Sequence, residues 1–265
     1  MAARTITITS GKGGVGKTTL TANLAVALAM QGQRVVAIDA DIGLRNLDVV
    51  MGLENRIVYD LVDAVEGTCR LRQAMIRDKR QEGLYLLPAA QKRDKMAVTP
   101  EDMRNLIRQL QDDFDFVLVD SPAGIERGFQ NAIAGASEVI IVTTPEVSAV
   151  RDADRIIGLV EAAEKEIPRL VLNRLKPDMV RRGDMLSTED VLEILAVGLL
   201  GLVPDDEEII VSTNRGIPVV YDDRSPASTA FHNISRRLLG ENVPYMTIEE
   251  QQSVLDRIFD WLRLG

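Results

Sequence analysis

The 265-residue sequence predicts an α/β fold: a doubly wound, mostly parallel sheet with helices on both faces, followed by an amphipathic helix near residue 265. Three observations carry that reading. Apolar runs of strand length recur at residues 34–39, 84–88, 116–120, 139–143, 170–173, 199–204 and 217–220, with helix-like stretches between them. Several runs are continuous rather than alternating, as in strands covered on both faces. A glycine-rich loop at residues 11–18 joins the first strand to the first helix with the spacing of a phosphate cradle.

The elements follow in order. Thr5-Ile6-Thr7-Ile8-Thr9 alternates polar and apolar residues, as a strand does. Gly11-Lys12-Gly13-Gly14-Val15-Gly16-Lys17-Thr18 matches G-x-x-x-x-G-K-[ST], with Thr19 next in line. Leu20, Leu24 and Leu28 recur at helical spacing among alanines, and Gly32 is the predicted stop. Strand, loop and helix in this order aim backbone N–H groups and a positive helix end at an anion. Gly13, Gly14 and Gly16 let the backbone approach phosphate closely. Lys17 is the expected contact to the β- and γ-phosphates, and Thr18 the expected hydroxyl on Mg²⁺. Lys12 is a second cation where the chain turns, so it need not point into its own pocket. If it reaches the phosphates of another copy, nucleotide binding and dimerisation become one event.

Two further segments end in carboxylates. Val35-Val36-Ala37-Ile38 leads to Asp39 and Asp41, and Phe116-Val117-Leu118-Val119 closes on Asp120. An acid at the end of an apolar strand beside the cradle suits Mg²⁺ held through water, the role expected of Asp120. Asp41, further from the sheet, is expected to orient or deprotonate the attacking water. Asp39 is then on the metal side or behind it. Guanine readers usually carry an acid where Lys176 stands, so ATP is favoured over GTP, and Asn173 is the candidate contact to an adenine edge. Thr99-Pro100-Glu101-Asp102 and Ser187-x-x-Asp190 read as helix starts.

Composition narrows the class. A net charge of −9 argues against wrapping nucleic acid, and no nucleic-acid partner is expected. One cysteine, Cys69, cannot form an intrachain disulfide or a thiolate cluster, which fits a reducing compartment. No apolar run reaches the roughly 18 residues that a membrane span needs, and residues 1–30 carry no secretory or transit pattern. The single His232 reads as a surface or helix-packing residue. The expected organisation is an ATPase body over 1–240 and a linker with an amphipathic helix over 241–265.

In that last stretch Val254, Leu255, Ile258, Phe259, Trp261 and Leu262 fall within an arc of about 160° if helical. Asp256, Arg257, Asp260 and Arg263 take the other side. A helix packed on its own domain and a lipid-facing helix share this pattern. Six partly buried apolar side chains give on the order of 6–12 kcal/mol gross, and ordering about a dozen residues costs a comparable amount. One copy would bind a bilayer marginally. Two copies in a dimer would bind far better, because the second inserts at high effective concentration.

With these residues in place, the sequence resembles the deviant Walker A ATPases, and within them the MinD type, nearly from end to end. The narrowest matches are the Lys12-containing loop, Gly43-Leu44-Arg45-Asn46, Asp120-Ser121-Pro122-Ala123-Gly124 and Arg182-Gly183-Asp184-Met185-Leu186. The resemblance implies an ATP-bound homodimer in which Lys12 contacts phosphate across the interface, with Asp41 and Asp120 as the two switch acids. It implies MinC- and MinE-type partners meeting the helix that begins near Ser148, with Ser148, Asp152 and Asp154 as candidate contacts. It implies a lipid-binding carboxyl-terminal helix, and thus a peripheral place on the inner face of the cell membrane. The tail lacks the lysine-rich polar face frequent in such relatives, so insertion of Phe259 and Trp261 has to carry more of the attraction. ParA-type DNA partitioning, kept open by the arginine-rich stretches 70–80 and 174–182, and flagellar placement remain alternative functions.

Overall fold

The computed structural model describes residues 3–94 and 97–246. The predicted membrane-facing residues Val254, Leu255, Ile258, Phe259, Trp261 and Leu262 lie outside the described residues. The body alternates strand and helix: β1 (Arg4–Thr9), α1 (Lys17–Met30), β2 (Val35–Asp39), α2 (Leu47–Val50), α3 (Leu61–Val65), α4 (Leu71–Ala74), β3 (Ile76–Arg77) and β4 (Leu84–Leu87). There follow α5 (Pro100–Leu110), β5 (Phe116–Asp120), α6 (Arg127–Ile133), β6 (Glu138–Thr143), α7 (Val147–Ala162), β7 (Arg169–Leu175), α8 (Pro177–Arg181), α9 (Thr188–Leu195), β8 (Gly198–Pro204), α10 (Glu208–Asn214) and α11 (Pro226–Leu238).

The strands form one sheet in the order β3-β4-β2-β5-β1-β6-β7-β8, parallel except where β3 meets β4. Continuous apolar strands are covered on both sides, as their composition predicts. Val35 and Ala37 pack with α1 and α11, while Val36 and Ile38 pack with α3 and α5. A third apolar cluster joins β6 and β7 to α6, α7 and α9. Because β1 is central, its alternating threonines are buried rather than solvated. Thr7 meets that requirement by donating its hydroxyl to the Ala132 carbonyl at 2.7 Å.

Both predicted helix starts are reciprocal capping boxes. Thr99 Oγ1 accepts from Asp102 N at 3.2 Å and Asp102 Oδ2 from Thr99 N at 2.9 Å. Ser187 and Asp190 do the same at 3.0 and 2.9 Å. Helix α1 ends at Met30, and Gly32 takes the left-handed turn beyond it. His232 sits on α11, with its ring nitrogen 3.2 Å from the Val220 carbonyl.

One expected strand is absent. Residues 217–220 do not join the sheet; Val219–Tyr221 form a 3-10 turn with Val219 and Val220 buried. Pro218 has no N–H for a ladder, and the two buried valines account for the apolar run without any strand pairing. The sheet also has a two-residue strand, β3, too short for a periodicity signal.

Candidate nucleotide site

Ligands of doubly wound sheets bind outside the carboxyl ends of the strands, and there the structure gathers most of the predicted residues. The cradle leaves β1 at Ser10 and enters α1 at Lys17. Gly14 and Gly16 adopt φ of +79° and +101°, open to glycine and strained for other residues. Two of the glycines are also required by contact. A Cβ on Gly11 would overlap the Asp152 carbonyl of α7, and one on Gly16 would overlap the Asn173 amide. The cradle is thus wedged between α7 and β7.

Asn173 donates its Nδ2 to the Val15 carbonyl at 2.7 Å, bracing the cradle from β7. Its Oδ1 is buried and makes no hydrogen bond among the described residues. The register of β7 against β8 shifts between Leu172 and Leu175. Arg174 takes a left-handed φ of +56° within this shift and lines a cleft of about 730 Å³ with Lys176, Asp205 and the start of α7.

The carboxylates converge below the cradle. Asp39 and Asp120 are register partners at the ends of neighbouring strands, and both are buried. Asp120 accepts from Thr18 Oγ1 at 2.7 Å and from Thr21 Oγ1 at 3.2 Å. Thr21 is a partner that motif reading missed. It stands three residues after Thr18, on the same side of α1, and that spacing is the signal that could have found it. Burial raises Asp120 to about 6, against the Lys17 charge and the two hydroxyls. Burial also raises Asp39 to about 7, with the Asp120 charge adding to the shift.

Asp39 has a supporting geometry. Its Oδ1 accepts from Asp41 N at 2.9 Å, and its Oδ2 accepts from Asn46 N and Leu47 N at 3.2 and 3.1 Å. Both oxygens therefore shape the loop that carries Asp41. Asp41 itself is half-buried at the mouth of that loop. Within the loop Arg45, at a positive φ of 44°, pairs with the fully buried Asp48 at 2.9 Å. Neither of these two was singled out as a functional residue in sequence.

Lys12 lies across the cradle toward α7. Its Nζ is 3.3 Å from Ser148 Oγ and 3.7 Å from Glu146 Oε2, and the side chain is 46% exposed. Ser148 and Asp154 are exposed and Asp152 is half-buried. Of the three expected partner contacts, Ser148 and Asp152 thus also touch the cradle, through Lys12 and Gly11, while Asp154 does not.

A glycine cradle entering a helix, a buried lysine, a threonine hydroxyl and a strand-end acid together define a P-loop nucleoside triphosphatase. The donor set suits a hard cation beside phosphate: Thr18 Oγ1 and Asp120 Oδ2 are oxygen donors to a cation, 2.7 Å from one another and joined here by a hydrogen bond.

Comparison with known proteins agrees. Residues 6–219 match the CobQ/CobB/MinD/ParA nucleotide binding domain. The chain is 56% identical to the septum site-determining protein MinD of Bacillus subtilis over 93% of this chain and 92% of that protein. It is 54% identical to MinD of Synechocystis over 96% and 97%. In structure it resembles the MinC:MinD cell division protein complex of Aquifex aeolicus, at TM-score 0.88 and 48% identity over 94% of this chain and 100% of that one. The MinD of Pyrococcus horikoshii complexed with Mg-ADP follows at TM-score 0.82 and 33% identity, covering 89% and 96%. The chain belongs to the MinD family of septum site-determining ATPases. Its cofactors are ATP and Mg²⁺. A ParA family ATPase of Chlorobium tepidum, at 23% identity and TM-score 0.75, shares the fold. No helix among the described residues is long and apolar enough to cross a membrane.

Proposed function

We propose that this ATPase is a switch in which ATP joins two copies and the paired copies hold the membrane. The observation that carries this reading is the position of Lys12. A half-exposed cation at the rim of its own cradle, held among the described residues by Ser148 and Glu146, is available to a second copy. Binding γ-phosphate would then neutralise charge from two chains at once, so pairing and ATP occupancy are linked.

Within each copy Gly11–Thr19 enclose the phosphates, and Lys17 and Lys12 stabilise the charge that develops as γ-phosphate departs. Thr18 and Asp120 would hold Mg²⁺, which would supply charge neutralisation at the phosphates. Asp39 fixes the loop, and Asp41 orients the attacking water and takes its proton. Asn173 Oδ1, an acceptor beside the cradle with no partner among the described residues, suits a donor such as an adenine amino group.

The surface at Ser148, Asp152 and Asp154 is the proposed meeting place for MinC- and MinE-type proteins, because two of its residues touch the cradle and can report its state. Residues 1–240 form the ATPase body, and 241–265 are the tail that places the dimer on the inner face of the cell membrane. Co-sedimentation with anionic vesicles tests the reading. Protein should pellet with ATP and remain in solution with ADP; equal pelleting in both states contradicts it.

A further inference from the structure

We propose that Arg80 is a positioning residue for hydrolysis, acting through α2 on the loop that carries Asp41. The loop and α2 are held at both ends. Asp39 takes three backbone N–H groups, from Asp41, Asn46 and Leu47. Just past the other end of α2, the Arg80 guanidinium donates to the Met51 carbonyl and, at 2.8 Å, to the Gly216 carbonyl. Asp78, 1% exposed, fixes that guanidinium with contacts of 2.9 and 3.2 Å, and the ring of Tyr221 lies 6.0 Å away. Gly52 and Gly216 touch backbone to backbone here; a Cβ on either would overlap the other.

The same junction leads back to the cradle. Val220 N donates to Asn23 Oδ1 at 2.9 Å, and Asn23 Nδ2 donates to the Thr19 carbonyl at 2.8 Å. One run of contacts therefore joins the phosphate loop, the 3-10 turn, the segment after α10, and α2. Arg80 is where that run meets α2. A planar guanidinium can serve Asp78 and two carbonyls together, which the single ammonium of a lysine cannot do in the same geometry. Without it, α2 keeps its buried face and its Asp39 end but loses the polar tie at Met51, and the Asp41 loop spends less time in the productive arrangement. Arg80 bonds Asp78, Met51 and Gly216 rather than the cradle itself, so ATP affinity should be preserved.

The inference rests on Asp41 as the hydrolytic acid, so Asp41→Ala is measured alongside. Arg80→Met alone would leave the Asp78 carboxylate buried and unpaired, a general cause of unfolding. The main variant is therefore Asp78→Asn with Arg80→Met in the full chain. Its kcat for ATP should fall about five- to tenfold while KM stays within about twofold. Amide hydrogen exchange should quicken at residues 41–51 and 213–221 together, and Arg80→Lys should lie between. Unchanged kcat overturns the proposal, as does a parallel fall of kcat, ATP affinity and melting temperature. Full turnover in Asp41→Ala overturns the acid assignment whatever Arg80 does. An inactive Asp41→Ala beside an unaffected Arg80 variant overturns only the positioning role.

Discussion

Two aspartates stand side by side at neighbouring strand ends, and burial is the largest influence on both of them. Burial raises Asp39 to about 7 and Asp120 to about 6, so the nucleotide-free fold holds protons that the unfolded chain, near 4, has released. The native state thus binds more protons between about pH 4 and 7, and stability falls as pH rises through that window. The melting temperature of nucleotide-free protein should drop between pH 5 and 8. Asp120→Asn removes one of the charges, while Thr18 and Thr21 can turn their hydroxyls to suit the amide. That variant should show a flatter profile, and an equally steep one counts against the assignment. Asp41→Ala should keep ATP binding and lose turnover, as measured by fluorescent-nucleotide titration beside phosphate release. Gly16→Ala sets a side chain at φ +101° against the Asn173 amide, and should weaken ATP binding at least tenfold, or about 1.4 kcal/mol. The cradle, its lysines and Asp120 were legible because glycine spacing and strand-end acids are local patterns. The brace from Asn173 to Val15 was not, since it joins residues 158 positions apart.

At the scale of elements, the strands of the sheet centre were readable from continuous apolar runs. The failures came where burial and pairing separate. Val219 and Val220 are buried by α1 and α11 in a turn, so hydrophobicity at 217–220 signalled core without signalling strand. Two elements carry regulation in the proposed reading, α7 and the tail. Since Gly11 lies against Asp152, Gly11→Ala must push the cradle off α7. It should weaken partner binding and ATP binding together, which a pull-down with a MinC-type protein and a nucleotide titration would report. Deleting 254–265 should abolish vesicle binding and leave both fold and ATP-dependent pairing intact; loss of folding would make the tail a structural part of the body.

For the whole molecule, function follows from what the sheet brings to the carboxyl ends of its central strands: cradle, acids, the Asp41 loop and the start of α7. Family membership was legible in the sequence because its narrow motifs sit in the loops that build this face. What a single chain does not encode locally is the second copy, which in the proposed reading is reached through Lys12, a half-exposed cation at the rim of its own cradle. The most direct measurement is the solution mass, by light scattering, of the Asp41→Ala protein loaded with ATP and Mg²⁺. A mass near twice that of one chain, reverting to one chain on Lys12→Ala, is the predicted result. Single chains in both proteins at saturating ATP would contradict it.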